Sequence, residues 1–183
     1  YSKRAWDIIC GIYRAHCADP SFVDFFWTVR LMLQPLWLLA RVARQLIPVR
    51  AVHCASTGYA GFLGALLAQT RGVPLILSEH GIYTKERKID LFKSEWIRDN
   101  RNIFQRDPTE LSYFRQMWIH FFEWLGRYCY AHADPILALY EANRLRQVQD
   151  GAAPERTANI PNGIKLERFA PLRAQRPLEP PPV

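Results

Sequence analysis

The stretch that decides the fold is VPLILSEHGIYTKERK, Val73 to Lys88. Its opening apolar run is short and bounded by Gly72 and Pro74, which reads as a buried strand rather than a helix. An acid, a histidine and a glycine come straight after it, and Lys85, Glu86, Arg87 and Lys88 follow within a few positions. A buried strand with such an exit delivers polar groups to a surface.

Working outward, VRAVHCAS before it reads as another short buried strand, and TGYAGFLGALLAQTRG between the two as a helix ending near Gly72. One face of that helix carries Ala60, Gly61, Gly64, Ala65 and Ala68, small enough for close approach to a sheet. On the other side, ADPILAL is a third strand, EANRLRQVQDG a helix closed by Gly151, and RTANI a short fourth strand. IPNGI, Ile160 to Ile164, reads as a tight turn. Strands alternating with helices through short joints predict an α/β class with a Rossmann-like parallel sheet flanked by helices.

Residues 1–48 read as helical and 49–170 as the Rossmann-like unit, while 171–183, ending PLEPPPV, reads as a Pro-rich connector leading to a further domain. With no signal peptide and no initiator Met, the expectation is a piece of a longer protein. The longest uncharged apolar run is LMLQPLWLLA, Leu31 to Ala40. It is short of the roughly twenty residues that a bilayer span needs. Pro35 is expected to kink or divide it, and the segment to pack against the sheet. Arg30, Arg41 and Arg44 flank the run, so a helix lying on an anionic membrane is the other reading. Residues 86–106 are mixed and charged, a helix or long loop. Asp107, Pro108 and Glu110 then read as a helix start. Leu111, Phe114, Met117, Trp118, Phe121, Phe122 and Leu125 follow at helical spacing as a core stripe.

The chain has 183 residues, enough for one domain with a sizeable core. Lys and Arg number 24 against 17 acids, a net charge of +7 that suits anionic partners such as nucleotide diphosphates or an acidic membrane face. Cys10, Cys17, Cys54 and Cys129 form no C-x-x-C pair and read as core fillers in a reducing compartment; no metal site is expected. Neither a G-x-G-x-x-G fingerprint, a P-loop nor a G-x-S-x-G elbow is present. The aromatics belong to helix cores, so no nucleic-acid partner is expected.

In open parallel sheets ligands collect at the carboxyl ends of the strands. The first such end offers His53, Ser56, Thr57 and Gly58; the hydroxyls there serve equally well as helix caps or as an anion or sugar contact. The second offers Glu79 and His80 leaving the strand together, Gly81 for close backbone approach, and Tyr83, Lys85 and Arg87 to reach a polar substrate. An isolated histidine is ordinarily structural, but one placed between a buried strand and a glycine points to function. The third end, Leu139-Tyr140-Glu141, carries no unusual chemistry, and Glu141 reads as a first-turn helix acid.

The histidine-bearing strand end VHCAS, the small-residue helix, G-V-P followed by a strand and E-H-G, and IPNGI followed by Phe169 occur in one order. That order resembles the amino-terminal domain of family-four retaining glycosyltransferases, which have the two-domain GT-B architecture. The longer string LSEHGIYTKERKID with the aromatic helix after it is most similar to the branch that builds the Pel exopolysaccharide of biofilms. The resemblance covers residues 49–170 well and 1–48 loosely. It implies the partial amino-terminal half of a GT-B fold and transfer of a sugar from a nucleotide-sugar donor, expected to be UDP-linked, to a polysaccharide acceptor. It implies retention at the anomeric carbon, no metal and no cofactor. His80 is then the histidine beside the transferred sugar, Tyr83, Lys85 and Arg87 line the acceptor side or the diphosphate, and His53 and Ser56 face the same cleft. The carboxy-terminal domain that such enzymes use for most of the donor, with its spaced acidic pair, is not in this sequence, so the piece alone is expected to be inactive. The resemblance further implies a cytoplasmic protein, peripheral at the inner membrane beside polysaccharide export proteins. A different class stays open: a non-catalytic docking module whose segment 22–47 binds a membrane protein or an anionic bilayer.

Overall fold

The computed structural model describes residues 2–102, 104 and 110–171. Four short strands, β1 (Val52–Cys54), β2 (Leu75–Glu79), β3 (Ala133–Ala138) and β4 (Thr157–Asn159), form one sheet in the order β1-β2-β3-β4. Every pair is parallel. Helix α3 (Gly58–Arg71) connects β1 to β2, α4 (Tyr83–Lys93) and α5 (Tyr113–His132) connect β2 to β3, and α6 (Glu141–Gln149) connects β3 to β4. The α/β class and the Rossmann-like parallel sheet with flanking helices are as the sequence predicts.

The strand period of two sorts the side chains. Leu75 and Leu77 turn to the helices and are buried with Cys54, Ala65, Cys129, Tyr130 and Ile136. His53, Ile76, Ser78 and Leu137 alternate with them and are half-buried or exposed. The small residues of α3 make the helix–sheet contact close. A methyl group at Gly64 would sit 2.7 Å from Cys54 Sγ and 2.8 Å from Leu75 Cδ1, and one at Gly61 would sit 2.7 Å from Cys129 Sγ. On the outer side α5 buries Phe114, Trp118, Phe122 and Leu125 of the expected stripe. Each large apolar side chain sealed there contributes about 1.5–3 kcal/mol.

Two further helices, α1 (Lys3–His16) and α2 (Phe22–Gln45), lie over this layer. Three expectations are corrected. The helix α2 is continuous through Pro35, which does not divide it. The carbonyl that loses its partner there belongs to Leu31, which is half exposed, so water can take the bond. Nor does α2 pack on the sheet: Phe25 and Met32 join the core cluster formed by α3 and α5. Its last turn is held from α3 by the Arg71 guanidinium, which donates to the carbonyls of Ala43, Leu46 (2.9 Å) and Ile47 (3.2 Å). Finally, α5 starts at Tyr113 with Ser112 at its N-cap, so Glu110 and Leu111 precede the helix. The expected cap Asp107 and Pro108 lie outside the described residues, as does the connector 171–183 beyond its first residue.

Candidate functional site at the carboxyl edge of the sheet

The strand alternation that buries Leu75 and Leu77 buries Glu79 as well, and it is fully inaccessible. Its carboxylate accepts hydrogen bonds from Thr57 Oγ1 (3.2 Å), Tyr130 Oη (2.7 Å) and Gln147 Nε2 (3.1 Å). Burial raises its pKa above the usual carboxylate value, even though these donors favour the charged form. The sequence reading placed Glu79 at the substrate; in the structure the residue borders the cavity at the strand ends, while its carboxylate is buried and engaged by these three donors. It ties the β1–α3 joint, α5 and α6 together beneath the edge. Thr57, as Glu79's partner, is buried too, and Gly58 lies under the Tyr83 ring at φ +68°, a conformation that favours glycine.

One residue later the chain bends, and His80 is exposed. With Ser78, Leu139, Ile160, Pro161, Asn162 and Gly163 it lines a cavity of about 270 Å³ across the ends of β2 and β3. Asn143 Nδ2 donates to the His80 carbonyl at 3.3 Å, anchoring the bend to α6. On the neighbouring strand His53 Nε2 lies 2.9 Å from Ser78 Oγ, which joins the first strand end to the second. Ser56 is half-buried in the β1–α3 joint, and Gly81 packs against the carboxylate of the exposed Glu86.

Tyr83, Lys85 and Arg87 are not in the described wall of the cavity. Helix α4 begins at Tyr83, so positions 83 and 87 share a face, and that face turns to α5. Tyr83 meets Phe122 edge to face at 6.0 Å, and the Arg87 guanidinium lies 5.5 Å over the Tyr83 ring. Lys85 is exposed on the same helix.

Sequence reasoning missed the part played by 160–163. Instead of a tight turn, residues 160–164 form an exposed stretch with neither turn nor bend. Ile160 N–H continues the β3 pairing with Ala138 O at 2.9 Å, and the residue before Pro161 is held extended. The strand-end rule, applied to β4, was the signal that could have found them. Asn143 and Gln147 sit inside a charged helical pattern and carried no such signal. Glu141 is the first residue of α6, as expected, and Arg144 and Asn159 hold its carboxyl down at about 2.

The cavity is thus lined by residues bearing an imidazole, a serine hydroxyl and an amide, and its one carboxylate is turned inward. Such a wall suits a polar, uncharged group better than a paired-carboxylate hydrolysis. Fold and site together define a Rossmann-like α/β domain with its crevice where that architecture places ligands. Residues 1–155 match DUF3492, a domain of unknown function, and the chain belongs to that family. No curated protein matches it.

Proposed function

We propose that this chain is the acceptor-side half of a retaining glycosyltransferase, which passes a sugar from a nucleotide-sugar donor to a growing exopolysaccharide. The narrower form of the proposal is a UDP-linked donor and the Pel polysaccharide, made at the cytoplasmic side of the inner membrane beside export proteins. The observation that carries it is the exposed His80 on the rim of a crevice at the carboxyl ends of β2 and β3. The order of motifs from VHCAS to IPNGI supports the same reading.

In this proposal the bond from the anomeric carbon to the diphosphate breaks, the acceptor hydroxyl oxygen takes its place on the same face, and the hydroxyl proton passes to the departing diphosphate oxygen. Partial positive charge at that carbon is steadied by the imidazole of His80 and by the backbone carbonyls beside it. Asn143 holds the backbone carbonyl of His80 and so fastens the bend that carries it. Neutralising the leaving diphosphate falls to fixed positive groups of a second domain.

The test is His80→Ala in the full-length protein, with transfer measured from radiolabelled nucleotide sugars. Loss of transfer by a variant with an unchanged melting curve is the expected result. Wild-type turnover would remove His80 from the reaction and the proposal with it.

A further inference from the structure

The helix α2 carries a second surface, remote in chemistry from the sugar site. Its outward face presents Val23, Trp27, Leu31, Trp37, Leu38 and Val42. Trp37 is the most exposed of these, at 68%. Arg30, Arg41 and Arg44 are interspersed among them at helical spacing, with the Arg30 guanidinium 5.1 Å over the Trp27 ring. The helix holds one acid, Asp24, and that carboxylate already accepts from Asn100 Nδ2 at 2.9 Å. Trp37 and Arg44 stand between two open apolar grooves of about 650 and 420 Å³.

We infer that this face docks the protein on an anionic lipid bilayer, with α2 lying in the interface. Apolar side chains with only cations among them, tryptophans included, are what a bilayer surface of negative headgroups binds. Charge complementarity selects this occupant over a second copy of the chain, because a two-fold contact through α2 would set its arginines against one another. By length and composition α2 is able to cross a membrane. Its inner face argues for lying in the interface over spanning: Phe25, Met32 and Ala43 are buried against the rest of the domain, and Arg71 holds its last turn. One side of the helix is packed on the domain, and the opposite face is the one it has to give.

This inference does not depend on the glycosyltransferase reading, and its test measures binding alone. The full-length protein is floated with vesicles of phosphatidylcholine, with and without phosphatidylglycerol, at low and high salt. Binding to the phosphatidylglycerol vesicles that weakens with salt is expected. Arg41→Glu/Arg44→Glu should weaken it about twentyfold or more, since each arginine near such a surface is worth about fivefold. Trp37→Ser/Leu38→Ser should weaken it as well, and both variants should keep the wild-type melting curve because the altered side chains are exposed. No flotation at any composition would overturn the inference and give the face to a protein partner. So would equal binding to neutral vesicles, arginine variants that bind like wild type, or protein that resists extraction by alkaline carbonate as a true span does.

Discussion

Tyr130 donates its hydroxyl to Glu79 Oε2 at 2.7 Å in the interior, one residue before the exposed His80. An exposed imidazole of the crevice thus directly follows a fully buried carboxyl. Removing the donor with Tyr130→Phe leaves the carboxyl one bond short and keeps the ring. The expected cost is about 1–3 kcal/mol, read from urea denaturation. A variant as stable as wild type would show that the bond contributes nothing.

The same carboxyl gives stability a pH dependence. In the folded protein Glu79 has its pKa raised by burial, whereas in the unfolded chain it returns to the usual value. Below that usual value both states are protonated and the contribution of the buried group is complete. As pH rises through the raised folded value, the folded state has to ionise the carboxyl in its interior, and stability is lost. Glu79→Gln cannot ionise, so the stability of wild type relative to the variant should fall as pH rises through this range. Denaturation midpoints of both proteins across a pH series check this, and a difference that moves the other way would refute it.

How far the sequence carries is seen at Glu79 and His80. Continuous apolar runs and short joints were enough to place all four strands and their parallel pairing, though not their order in the sheet. The carboxyl-end rule then found the crevice. What the linear string did not disclose was which of two adjacent polar residues faces out. That follows from the pleat, because Leu75, Leu77 and Glu79 share one face and His80 falls beyond the last pairing. Lys85 and Arg87 are outside the described cavity wall for a related reason: they lie on a helix that begins at Tyr83 and not on the strand end itself. Contacts made across elements, such as Asn143 with His80 or Gln147 with Glu79, depend on tertiary packing and leave no periodic mark.

Gly64 tests the closeness of α3 to the sheet. Its substitution by Ala puts a methyl group 2.7 Å from Cys54 Sγ and 2.8 Å from Leu75 Cδ1, both on buried residues of the sheet. Alanine is the better helix former by about 1 kcal/mol, so propensity alone predicts stabilisation. Overpacking a tight contact costs about 1–3 kcal/mol, and here it should prevail. Gly64→Ala is expected to lower the urea midpoint, whereas Gly11→Ala, in a helix with open space around it, should raise it. A rise in both would mean that the α3–sheet contact is looser than the distances indicate.

Arg71 tests how α2 is fastened. A helix end leaves its last carbonyls without partners, and the Arg71 guanidinium supplies donors to Ala43, Leu46 and Ile47 across from α3. Its positive charge also sits at the negative end of the α2 dipole. Arg71→Ala removes these hydrogen bonds at once and should cost about 1.5–3 kcal/mol, the range for bonds made by a charged donor. Arg71→Lys should recover only part of this, because an ammonium group lacks the planar fork that reaches separate carbonyls. Hydrogen exchange distinguishes a local fastening from a general loss of stability. Amides in the last turn of α2 should exchange faster in Arg71→Ala than those of β2 and β3, since those strands are sealed beneath α3 and α5. Uniform acceleration across helix and sheet would show that Arg71 supports the whole domain and not the end of one helix.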